Sequence, residues 1–152
     1  MKQYRILSGL LIVLLVFTKC SGDRVYEQYH GLENLTWALQ DTISFSMNYP
    51  LPEGPTILAV KYNNEYPFRN LYIRYLLRDS TDQIFESQLI NIPLFENTTG
   101  KPLGKGYGST FTRYDTIPLK SKVPYSKIQF IQYMRLEDLK GIESIGLKRI
   151  KD

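Results

Sequence analysis

Cys20 is the single cysteine of the 152-residue chain, and it follows a charged start (Lys2, Arg5) and an apolar run from Ile6 to Phe17. A thiol so placed suits the acceptor of a lipoprotein signal peptide. The leader is cut ahead of the cysteine, the sulfur is acylated by a chain such as palmitate, and Cys20 becomes the N-terminus. The run is about a dozen residues, inside the roughly 7–15 of a signal-peptide core and short of the roughly 20 that cross hydrocarbon. Export with a lipid tether is therefore expected, not a membrane-spanning helix. Lys19 departs from the pattern, because the residue before such a cysteine is normally Gly, Ala or Ser. The competing reading, an incidental buried thiol, would leave a reactive group with no pairing partner in an exported chain.

The remaining chemistry-bearing residues do not assemble into a catalytic set. His30 is the only histidine, which leaves no histidine pair for a metal and no convincing Ser-His-Asp arrangement. It is expected as a surface residue in a Tyr29-His30-Gly31 turn. Glu137 and Asp138 are adjacent in sequence, and neighbours in a turn seldom converge on one bond as paired acid and base must. The stretch Gly100–Gly108 (GKPLGKGYG) superficially resembles a phosphate loop, but it lacks the Gly-Lys-Ser/Thr ending and a following helix. Glycines so spaced before a strand are expected to form a bend where backbones approach closely. No enzyme activity, cofactor or metal is expected.

Lys2, Arg5 and Lys19 leave with residues 1–19, so the formal charge of +4 falls by three and the whole-chain pI of 9.1 overstates the basicity of the mature protein. Without a basic stripe, nucleic acid is not an expected partner. Residues 20–24 read as a short polar tether, and residues 25–152 as one domain stabilised by packing, since no cysteine remains to form a disulfide.

The elements that must hold any site read as strands. Ile43, Phe45 and Met47 alternate with Ser44, Ser46 and Asn48, giving a half-buried strand ended by the Pro- and Gly-rich segment 50–55. Further strands are expected at Thr56–Tyr62, Leu71–Arg78, Ile84–Ile92, Gly108–Tyr114, Ser126–Met134 and Ser144–Ile150. In the second of these, Leu71, Ile73, Tyr75 and Leu77 form one face and Tyr72, Arg74, Leu76 and Arg78 the other, a second face apolar enough to be partly covered. Val25–Leu39 shows no sustained period, with Trp37 its anchor into the core. One helical turn is expected at Leu136–Lys140, closed by Gly141. The fold class is all-β: a single antiparallel β-sandwich, jelly-roll-like, following the signal peptide.

Tyr66-Pro67-Phe68-Arg69-Asn70-Leu71-Tyr72, the loop Pro102–Gly108, and Gln132-Tyr133-Met134-Arg135-Leu136 running into Leu139–Leu147 together resemble, in order and wording, the gliding-motility lipoprotein family GldH of the Bacteroidetes. The resemblance covers about Val25 to Ile150. It implies a small cell-envelope lipoprotein required for gliding, linked to the motility machinery and its associated secretion system, with no catalytic residues to carry over. The family often carries Trp near Pro102-Leu103 and just after Asn70-Leu71, where this chain has none.

The favoured function is a non-enzymatic interaction module, tethered to a membrane through Cys20 and facing the periplasm, that docks other envelope proteins of the gliding machinery through a Tyr-rich face. The alternative is a carbohydrate-binding sandwich in which Tyr62, Tyr66, Tyr72, Tyr107 and Tyr114 stack on sugar rings. The candidate partner or sugar face comprises Tyr66, Tyr72, Tyr107, Tyr114 and Arg135, the last pairing with Glu137, Asp138 or Glu143. Asp41-Thr42, Asp79-Ser80 and Asp115-Thr116 resemble short O-glycosylation acceptors, or are simply turns in which Asp hydrogen-bonds the backbone.

Overall fold

A computed structural model describes residues 24–47 and 54–150 of the chain. The leader, Cys20 and residues 21–23 of the expected tether lie outside these residues, and Arg24 belongs to the first strand, not to the tether. Among the described residues are eleven strands: β1 Arg24–Gly31, β2 Thr36–Ala38, β3 Thr42–Ser46, β4 Thr56–Asn63, β5 Asn70–Arg78, β6 Ile84–Pro93, β7 Lys105–Tyr107, β8 Thr110–Thr116, β9 Lys127–Gln132, β10 Asp138–Lys140 and β11 Ile142–Ile150.

They form two antiparallel sheets, β1-β11-β4-β8-β7 and β3-β9-β5-β6, plus a small β10-β2 ribbon. Setting aside the short β2, β7 and β10, the first, last, third and sixth strands face the second, seventh, fourth and fifth, which is the order of a jelly roll. Period-two sequences build both inner faces. Leu58, Val60 and Tyr62 of β4 and Ile145 and Leu147 of β11 meet Leu71, Ile73, Tyr75 and Leu77 of β5 and Ile128 and Phe130 of β9 in one buried cluster. Phe45 and Phe130 pack edge to face with centroids 6.0 Å apart. Trp37 is fully buried and its indole N–H donates to the Asp41 carbonyl at 3.0 Å, so the one irregular segment read as an anchor is one.

Several local expectations are corrected. Leu136–Lys140 is not helical: Asp138–Lys140 is a strand paired with Thr36–Ala38, which puts Leu139 opposite Trp37 in the core. Burying Leu139 outweighs the weak helical preference of Glu-Asp-Leu-Lys. Gly141 does adopt φ 83, but at the link from β10 to β11, where an added Cβ would lie 2.4 Å from the Tyr66 amide nitrogen. His30 sits within strand β1, not in a turn, and is exposed. The strand expected at Gly108–Tyr114 begins at Thr110, because Gly108 (φ 67) and Ser109 form the turn of the β7–β8 hairpin. The close backbone approach read from the glycines is present: a Cβ on Gly106 would lie 2.0 Å from the Thr110 carbonyl oxygen.

One buried carboxylate organises the loop after β8. Glu86 points inward from β6 and accepts the Tyr75 hydroxyl at 2.5 Å and the Lys120 and Ser121 amides at 3.0 and 2.7 Å. Burial opposes its charge, but these donors prevail and hold the carboxyl below its ordinary value. Tyr125 then fastens the loop to the opposite sheet, its hydroxyl 3.0 Å from Thr56 Oγ1 and 3.2 Å from Arg149 Nη1.

Candidate functional site

Alternation along β5 that buries Leu71, Ile73, Tyr75 and Leu77 must turn Tyr72, Arg74 and Leu76 to the outside of the four-stranded sheet. Register sets their neighbours. Arg74 lies between Ile131 of β9 and Leu89 of β6, Leu76 between Gln129 and Ser87, and Tyr72 opposite Asn91. Just beyond β9, the Tyr133 amide donates to the Tyr72 carbonyl at 2.8 Å, and the Arg74 guanidinium carbon sits 4.6 Å from the centre of the Tyr133 ring. Tyr72, Leu89 and Tyr133 are 39%, 47% and 41% exposed, high enough to make this row of apolar and aromatic groups a surface and not a second core.

The charges on this face are lopsided. Arg78 donates to Gln129 at 2.6 Å and, with Lys127 at 2.7 Å, faces Asp82 at the hairpin end. The Lys127 hydrogen bond, the largest influence on Asp82, lowers its pKa against the opposing effect of burial. No carboxylate among the described residues lies in ion-pair reach of Arg74. A guanidinium stacked on an exposed ring can still accept a carboxylate or a second ring from a partner.

The five candidate face residues do not share one surface. Tyr66 is a correction: it is 4% exposed, its hydroxyl donates to the Asn70 carbonyl at 2.9 Å, its ring packs on Phe68, and burial raises its pKa. Tyr62 is wholly buried, donating to the Leu94 carbonyl at 2.6 Å. Tyr107 stands 97% exposed at the tip of the β7–β8 hairpin, and Tyr114 lies on the outer face of the other sheet. Only Tyr72 belongs to the face around Arg74, with Arg135 in the exposed loop that follows Tyr133. Arg135 adopts φ 59, and no ion pair to it occurs among the described residues; Glu143 instead pairs with Lys61 at 3.0 Å. The five tyrosines proposed as a sugar platform are therefore divided between core, hairpin tip and two sheet faces.

An open concavity of about 780 Å³ lies at the other end of the sandwich, lined by His30, Glu33, Asn34, Asp41, Asp138 and Lys140 among others. Among the described residues no Phe, Tyr or Trp lines it, so His30 supplies its one ring. Among the described residues no cluster of three or more His, Cys, Asp or Glu is placed to hold a metal. Thr42, Ser80 and Thr116 are all exposed, and Asp79 accepts the Thr81 and Gln83 amides as the turn reading expects.

Arg74, Leu89 and Tyr133 are the functional candidates that residue-type reasoning passed over. The alternation of β5 already turned Arg74 outward; Leu89 and Tyr133 needed the pairing register. Comparison with curated proteins and with solved structures gave no match. The family model described as GldH lipoprotein matches residues 24–148, nearly the whole of the described fold, and this chain belongs to that family.

Proposed function

We propose that this protein is a non-enzymatic interaction module of the gliding-motility and secretion machinery, held in the cell envelope by lipid on Cys20 and facing the periplasm, and that it docks a partner protein through the outer face of its four-stranded sheet. Membership of a lipoprotein family supports the anchor. The observation that carries the docking reading is the juxtaposition of Arg74, which no carboxylate among the described residues neutralises, with exposed Tyr72, Leu89 and Tyr133. Aromatic and Arg side chains at the centre of such patches carry most of the binding energy in protein interfaces, typically about 2 kcal/mol or more each.

The experiment is site-specific photocrosslinking in gliding cells. A probe at Leu89 should capture an envelope protein, while the same probe at Lys148, on the other sheet, should not. Leu89→Glu should stop surface spreading at normal abundance and fold, whereas Ala at His30, Glu137 or Asp138 should leave spreading intact. Equal capture at both positions, or normal spreading with Leu89→Glu, would remove this face from the account. Cys20→Ser tests the anchor separately, by release from the membrane fraction or accumulation of the precursor.

A further inference from the structure

Only Ser21, Gly22 and Asp23 separate Cys20 from the start of β1, so at full extension the tether spans about 14 Å. A sandwich with strands of nine and ten residues, as in β5 and β6, is about 30 Å long. The end at which β1 begins is therefore the end that a lipid on Cys20 would hold against a bilayer. Register fixes what else lies there. Arg24 pairs with Ile150, Arg149 with Thr56, and Ile57 with Thr116, and the loop after Thr116 crosses this end to β9.

That loop is built to present cations. Glu86 draws the backbone amides of Lys120 and Ser121 inward, and Tyr125 pins the far side to Thr56 and Arg149. Lys120, Lys122, Val123 and Pro124 are left exposed, Val123 by 57%. Neither lysine joins an ion pair among the described residues. The β5–β6 hairpin brings Asp79 and Asp82 to this same end, but Asp79 is engaged by the Thr81 and Gln83 amides and Asp82 by Lys127 and Arg78, whereas the opposite end carries Glu33, Asp41, Glu137 and Asp138. A side-on approach through the edge strand β1 would bring exposed Glu27 to the surface, which opposes contact with phosphate.

We propose that the end of the sandwich formed by the loop between β8 and β9 is a membrane-docking surface, seating Lys120 and Lys122 on phospholipid phosphates and Val123 at the headgroup boundary. The proposal rests on the lipid-anchor reading. It adds that the domain stands end-on, so that the face around Arg74 projects sideways from the membrane and remains open to a partner.

The test uses the full acylated chain reconstituted in vesicles of phosphatidylcholine with and without phosphatidylglycerol, both containing a headgroup-labelled quencher. An environment-sensitive probe is placed at Val123→Cys or at Glu33→Cys. Quenching should be several-fold stronger at position 123. In a Lys120→Glu/Lys122→Glu background its dependence on phosphatidylglycerol should vanish, with affinity for the anionic surface falling about fivefold per lysine replaced. High salt should have the same effect. Quenching that is equal at the two positions, or that ignores both charge reversal and salt, overturns the docking surface while leaving the anchor in place. Intact mass without an added acyl group removes the anchor, and the docking surface with it.

Discussion

Tyr29 of β1 and Tyr114 of β8 place their hydroxyls 3.5 Å apart across the outer face of the five-stranded sheet, although two strands lie between them. Register explains the reach. Tyr29 is opposite Gly146, and Gly146 and Tyr114 are both opposite Ala59, so the rings approach over a floor of two small residues. A Cβ on Gly146 would lie 2.4 Å from the Tyr29 ring. Burial, then the contact with Tyr114, raises the Tyr29 pKa above its ordinary 10.0. Gly146→Ala should displace the ring and bring Tyr29 back toward ordinary titration, read by ultraviolet phenolate absorbance. Stability should change by less than about 1 kcal/mol, because the backbone entropy gained by replacing a strand glycine offsets the lost contact.

Gly141→Ala should behave differently. Its φ of 83 and the Tyr66 backbone 2.4 Å from the added Cβ leave no side chain free to yield. A loss of at least about 2–3 kcal/mol is expected in denaturant melts. A variant as stable as the parent would show that the β10–β11 link can relax.

The pH profile of stability should be a plateau with two limbs. Glu86 is held below its ordinary 4.5, so the stability it contributes above that pH is lost as pH falls through its lowered folded value. Tyr66 and Tyr75 are raised above 10.0 by burial, with the Glu86 hydrogen bond adding to Tyr75; their contribution is intact below pH 10 and is lost as pH rises beyond it. Glu86→Gln should flatten the acid limb and cost about 1–3 kcal/mol, since an amide group cannot accept from the hydroxyl and both loop amides together. Denaturation midpoints across pH check both limbs.

Trp37→Ala should cost about 3–5 kcal/mol by emptying a fully buried site and orphaning the Asp41 carbonyl. As the sole tryptophan, Trp37 should also give apolar, blue-shifted emission in the parent that moves red in one step with unfolding. In cells the variant should resemble a deletion through loss of the domain.

Strands with one buried and one solvated face were readable from sequence because their period is two: β3, β4, β5, β6, β9 and β11 all lie close to their expected positions. β1 was not, since as an edge strand with a register shift between Arg24 and Tyr26 it carries polar residues on both faces. β10 was hidden by local composition that favours a turn of helix, and only the partner strand Thr36–Ala38 makes sense of Leu139. Tyrosine was the hardest type to place. Tyr62 follows the inward alternation of Leu58 and Val60 and Tyr72 the outward alternation of β5, but nothing local marks Tyr66 as buried, because an amphipathic ring outside a regular strand is stable in either setting when its hydroxyl finds an acceptor. The grouping of Tyr72, Arg74, Leu89 and Tyr133 spans three separate segments, so it exists only once the sheet is paired.

The pairing of β1 with β11 alone has a consequence in time. A chain exported from its N-terminus delivers β1 first and the strand it needs last. Until residues 142–150 emerge, β1 has no neighbour on either side, and β4 lacks one of its two. The sheet must close by joining the two extremes of the sequence, a connection of high contact order that slows the final step. Chains cut short after β10 should therefore remain open substrates for envelope chaperones and proteases rather than smaller folded domains.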